Sequence, residues 1–75
     1  MTTRKKEIPE IVVKVGTRIK KIIEDKELLF RDVANDCGMD VEALRRYTWG
    51  KQIMGIDKLA VIAKALDVEV GDLFK

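Results

Sequence analysis

The sequence predicts an all-α fold, a compact bundle of five helical segments with a helix-turn-helix at its centre. Three observations predict it. Apolar residues recur at three- and four-residue spacing along most of the chain, the period of a helix with one buried face. Glycines punctuate that pattern where short segments end, above all Gly38, because glycine takes the left-handed conformation that stops a helix without a steric penalty. The composition is 47% hydrophobic but only 5% aromatic, with one proline, which suits an aliphatic helical core.

At 75 residues the chain makes one small domain, which buries only about 60% of its unfolded surface. Cys37 is the single cysteine, so no disulfide is available, and without histidine there is no Cys/His cluster for a structural metal. The core must therefore be aliphatic. No apolar run approaches the length of a membrane-spanning helix or a signal-peptide core, and the lone thiol fits a reduced, cytoplasmic setting. The net charge of +2, from 15 basic and 13 acidic residues, implies a nucleic-acid partner only if the charge is segregated on one face. An enzyme is disfavoured: there is no glycine-rich phosphate loop, no metal or cofactor cluster, and no nucleophile beside a base.

Residues 1–8 hold Arg4, Lys5 and Lys6 and little that is apolar, and read as a mobile basic arm preceding a domain over 9–75. Pro9 suits a first helical turn. The stripe Ile11, Val15, Ile19, Ile22 and Ile23 predicts a first helix with Lys14, Arg18 and Lys21 on its solvated side. Gly16 and the β-branched run before it leave a short strand open at the start of this segment. "LLFRDVANDCG" predicts a short second helix, with Val33, Ala34 and Cys37 inward and Gly38 at its end. Asp40 then stands where its carboxylate can cap a third helix. "GIDKLAVIAKALDV" gives a fourth helix, with Ile56, Leu59, Ile62, Ala63 and Leu66 as its buried stripe. "VEVGDLFK" supplies a last turn whose Leu73 and Phe74 close the core.

Two short helices joined by a glycine-containing turn form the helix-turn-helix unit, which holds its second helix proud of the surface for entry into a major groove. At about 100° per residue, a third helix anchored by Leu44 and Tyr47 presents Glu42, Arg45, Arg46 and Trp49 outward, with Val41 at its flank. Arginine pairs bidentately with guanine O6 and N7, glutamate accepts from cytosine N4, and valine touches a thymine methyl. Glu42 and Arg46 also have the i,i+4 spacing of an ordinary helical ion pair, so Glu42 either reads a base or orients Arg46. Trp49 either packs over the corner between the third and fourth helices or lies against the sugar-phosphate backbone, packing being the preferred expectation.

From about Val15 to Phe74 the chain resembles the Cro/repressor-type helix-turn-helix family of phage and bacterial regulators. The resemblance rests on "GTRI" at 16–19, "VANDCG" at 33–38, "WGK" at 49–51 and "IAKALDVEVGDLF" at 62–74, four elements in register. It implies a five-helix repressor-like DNA-binding domain with no cofactor. It carries base reading onto Val41, Glu42, Arg45 and Arg46. Lys51, Arg31 and the N–H groups opening the second helix near Phe30 match the family's phosphate-contacting places. Phe30 departs from the family's usual glutamine there, and Ile23 with Thr48 stand where the family often pairs an arginine with a glutamate. Losing both partners together can be near neutral, whereas losing one strands a buried charge.

The resulting expectation is a sequence-specific regulator of transcription that binds double-stranded DNA through the helix at about 41–49. A two-fold homodimer is expected on a palindromic site, because one recognition helix spans few base pairs. The sequence ends just after the family's last helix, so no small-molecule sensor domain is expected and the dimer would use the domain itself. The apolar "VEVGDLF" end and the "QIMGI" loop are the candidate surfaces. The rival reading is a protein-interaction module on the same scaffold, antitoxin-like or adaptor-like, favoured by Phe30, by Asp32, Asp36 and Asp40, and by the low net charge.

Overall fold

Four α-helices and one 3-10 helix follow one another in a computed structural model that describes residues 8–75. They are α1 (Glu10–Asp25), α2 (Phe30–Cys37), α3 (Val41–Thr48), α4 (Ile56–Leu66) and the 3-10 helix (Val70–Phe74). The fifth segment is thus a single tight turn of helix, too short to develop α-helical hydrogen bonding. The basic arm expected over residues 1–8 lies outside the described residues, apart from Ile8.

The open question at the start of α1 resolves as helix. Pro9 takes the N-cap position in extended backbone, and Val12 N–H bonds the Pro9 carbonyl at 3.0 Å. Gly16 lies within this helix because α3 crosses it there. A Cβ at Gly16 would collide with the Tyr47 carbonyl oxygen and would meet the Thr48 oxygen at 3.1 Å. The glycine costs helix propensity on the order of 1 kcal/mol and admits a close backbone approach in return.

The core is aliphatic, as composition required. Ile19, Ile23, Leu44, Ile62, Leu66 and Leu73 are sealed from solvent, joined by Val15, Ile22, Val33, Ala34, Ala63 and the Tyr47 ring. Ile23 and Thr48, the places of the family's ion pair, are both buried, and the Thr48 hydroxyl donates to the Arg45 carbonyl at 2.9 Å. No buried side-chain polar atom among the described residues lacks a hydrogen-bond partner.

Three expected core members differ. Ile11 and Phe74 are about half exposed, and Ile56 is 83% exposed. Ile11 and Ile56 both lie in the first turn of their helices, where the apolar stripe runs past the end of the partner elements. Ile11 and Phe74 instead stand at a shallow apolar recess with Val12, Val15, Met54 and Leu59. Arg18, expected in solvent, is half-buried and donates its Nε–H to the Asp72 carbonyl at 3.0 Å. That bond ties α1 to the 3-10 helix across the sequence. Asp72 in turn receives Lys75 Nζ at 3.1 Å and the Glu69 N–H at 3.1 Å, and these partners hold its carboxyl below the ordinary aspartate value.

Candidate nucleic-acid interface

Helix α3 is positioned by what happens at both of its ends. Upstream, α2 stops at Gly38 with φ of 70°, and the Met39 N–H bonds the Ala34 carbonyl at 3.0 Å while Gly38 N–H bonds Asn35 at 3.1 Å. This pair of bonds is the Schellman closure of a helix. Asp40 takes the N-cap position of α3 in extended backbone, but its carboxylate makes no side-chain cap bond. The expected capping interaction is absent although the boundary falls where Asp40 put it. The Asp40 carbonyl instead accepts from Ala43 and Leu44, at 3.0 and 3.2 Å.

Downstream, Gly50 repeats the device with φ of 72°, and Lys51 N–H bonds the Arg46 carbonyl at 3.0 Å. A Cβ at Gly50 would also press on Val13 Cγ2 at 2.9 Å, so α1 covers this turn. Leu44, Tyr47 and Thr48 form the buried side of α3. On the other side Glu42 and Arg46 are exposed, and Val41 and Arg45 are intermediate. Trp49 is 53% exposed, so about half of its indole is covered and half faces solvent.

The arginines have different partners from those the spacing implied. Glu42 Oε2 lies 3.4 Å from Arg45 Nη1, an i,i+3 pair, and not against Arg46. Arg46 Nε donates to Gln52 Oε1 at 3.2 Å. The Arg45 guanidinium carbon sits over the Phe30 ring, 5.8 Å from its centroid, within the reach of a cation–π contact. Gln52 stood out in the sequence only as part of the "QIMGI" loop, and its bond to Arg46 had no sequence signal, since it lies beyond the helix and outside any helical period. Phe30 was visible as a departure from the family pattern, and its contact with Arg45 appears only when α2 and α3 are brought together.

Leu29, Phe30, Arg31 and Arg45 line one shallow concavity where α2 begins. Leu29 occupies the N-cap of α2 with no side-chain cap bond. Among the described residues, Asp32 and Val33 N–H groups bond the Leu29 carbonyl at 3.0 and 3.1 Å, which leaves the Phe30 and Arg31 amides facing outward from the positive end of the helix dipole. Lys51 is exposed just past Gly50. Cys37 lies apart from this surface, half-buried, with Sγ 3.9 Å from the Val61 carbonyl. Burial first, and the Asp36 carboxylate second, push its thiol above the ordinary value, with Lys58 opposing. A thiol so held is a poor nucleophile at neutral pH.

A glycine-turned pair of short helices, the second of them carrying arginines on its outer side, is the architecture of a helix-turn-helix domain. The chain belongs to the Cro/C1-type HTH DNA-binding domain family, whose model matches residues 18–75. Among solved structures it is similar to the restriction-modification controller protein C.AhdI of Aeromonas hydrophila, at 26% identity and a TM-score of 0.83, over 88% of this chain and 100% of that one. It shares the fold of the clp gene regulator ClgR of Corynebacterium glutamicum, at 22% identity and a TM-score of 0.83, over 87% of this chain and 84% of that one. No curated protein matches the sequence significantly. No helix among the described residues is long and apolar enough to cross a membrane.

Proposed function

We propose that the protein is a sequence-specific regulator of transcription whose α3 enters the major groove of duplex DNA. The observation that carries this reading is the concavity in which the uncapped start of α2 meets the exposed face of α3, bringing Arg31 and Arg45 to one surface. Phosphates would be held by the outward amides of Phe30 and Arg31, by the Arg31 guanidinium and by Lys51 on the far side of α3. Base edges would be read by Arg45 and Arg46, with Glu42 and Val41 nearer the N-terminal tip. The half-exposed Trp49 indole would lie against the sugar-phosphate backbone.

The functional unit is a two-fold dimer, with recognition helices one DNA turn, about 34 Å, apart. Exposed Ile53 in the loop before α4, Ile56 in the first turn of α4, and Val70 and Phe74 in the 3-10 helix support the two surfaces expected from sequence. The same side chains favour the second reading, a protein-interaction module with DNA secondary, since an isoleucine 83% exposed fits a covered surface.

Two substitutions test the assignment. Arg46→Ala is expected to cost about 1–3 kcal/mol on the preferred site and to relax preference there. Lys51→Ala is expected to weaken all duplexes alike and to flatten the salt slope by about one unit. Equal loss on preferred and random DNA moves Arg46 to the phosphate set. An unchanged salt slope removes Lys51 from it, and a chain that binds no duplex leaves the protein-interaction reading.

A further inference from the structure

Arg45 and Arg46 are neighbours in sequence but are not held alike. Arg46 has one restraint, the hydrogen bond to Gln52 in the following loop. Arg45 has two: Glu42 at Nη1 of the guanidinium, and the Phe30 ring of a different helix, over which the guanidinium carbon lies 5.8 Å from the centroid. The Phe30 ring is itself fixed, because it is partly buried and packs against the aliphatic core. Arginine surrenders much rotamer freedom when it forms a planar two-point contact, and a side chain already oriented surrenders less on binding.

We propose that Phe30 is the positioning residue that sets the base preference of Arg45, holding its guanidinium ready for guanine before DNA arrives. The chemistry of the two contacts is compatible. A ring attracts a cation through the π face, whereas all five guanidinium donors point outward in the guanidinium plane. The contact with Phe30 is one of a cation over a ring and takes no oxygen or nitrogen acceptor from any of them. Glu42 engages Nη1 alone, and the rest of the donor fork stays free for guanine O6 and N7. Leu29 and Arg31 flank the ring, so the same stretch that offers amides to a phosphate also braces the base-reading arginine. Backbone registration and base reading are thereby coupled at one residue.

The inference rests on α3 being the base-reading helix, and two arms separate the failure of one from the failure of the other. In the free protein, NMR of the Arg45 Nε–Hε group is expected to show an upfield ring-current displacement that vanishes in Phe30→Leu and persists in Phe30→Tyr. An undisplaced resonance overturns the proposal whatever the chain does with DNA. In the second arm, wild-type chain, Phe30→Leu, Phe30→Tyr, Arg45→Ala and the double variant Phe30→Leu/Arg45→Ala are titrated with a duplex selected from a random pool. Each is also titrated with that duplex changed at the one base pair where Arg45→Ala relaxes preference. Phe30→Leu keeps the backbone amide and is expected to lower discrimination at that pair about threefold, a larger loss than it causes on unrelated duplex. Phe30→Tyr restores the preference, and Phe30→Leu has no effect on it when Arg45 is already alanine. A uniform loss on every duplex, an equal loss in both Arg45 backgrounds, or failure of tyrosine to restore preference overturns the proposal. If wild type binds no duplex, the regulator reading fails while the resonance still decides whether Phe30 holds Arg45.

Discussion

Gly16 and Gly38 both govern where α3 sits, and they are glycine for opposite reasons. Gly16 has ordinary helical backbone, and its side chain is missing because the Tyr47 and Thr48 carbonyls occupy the space. Gly38 has open space, with nothing within 4 Å of a built Cβ, but its φ of 70° lies in the left-handed region. One residue sets how deeply α3 is seated and the other sets the turn from which it departs. The rigid base of α3 is therefore a matter of packing, and its angle a matter of backbone sign.

Substitutions can break that distinction, beginning with the largest effect. Gly16→Ala raises helix propensity, so a local account expects stabilisation near 1 kcal/mol. Collision with rigid backbone is expected to reverse the sign and destabilise by about 2–3 kcal/mol, read by denaturant unfolding, because α1 and α3 must part. Gly38→Ala meets no atoms and is expected to cost about 1–2 kcal/mol from the left-handed backbone alone, with Gly38→Asn recovering part of it. If the two alanine variants lost equal stability, and both were rescued by asparagine, the distinction would fail.

The next effect links stability to function. Leu29→Ser supplies the side-chain acceptor that α2 lacks and is expected to stabilise the fold by about 1 kcal/mol. The same hydroxyl competes with phosphate for an N–H group at that helix start, so duplex affinity should fall while thermal stability rises. Affinity and stability rising together would show that those amides do not meet DNA. The smallest effect is at Glu27, which closes α1 with φ of 56° as Gly38 closes α2. Glu27→Gly relieves the left-handed strain but adds chain entropy, for a net gain of about 0.5 kcal/mol. Duplex affinity should not move.

The contrast between the glycines also explains what could be read in advance. Gly38 announces itself, since a glycine between two amphipathic stretches marks a helix end, and the Gly38–Asp40 boundary fell as expected. The need for Gly16 comes from a carbonyl thirty-one residues away, so locally it looked only like a weakness in α1. The inward anchors Leu44 and Tyr47 followed from period alone. Ile11 and Ile56 did not, because periodicity assigns a face but not where that face outruns its partner. At the site, the outward arginines were legible on the wheel. Their partners were not, because i,i+3 and i,i+4 spacings are equally open to Glu42, and contacts from Phe30 and Gln52 select between them. The Arg18 bond to the Asp72 carbonyl spans fifty-four residues and has no local signature at all.

The most direct test of α3 as a DNA-reading helix is selection of duplex from a random pool by the purified chain, with the selected site then titrated across salt. The account predicts an enriched sequence with half-sites about one helical turn apart and an affinity that falls steeply as salt rises, through release of phosphate counterions. Absence of any enriched sequence, together with binding that salt leaves unchanged, would contradict it.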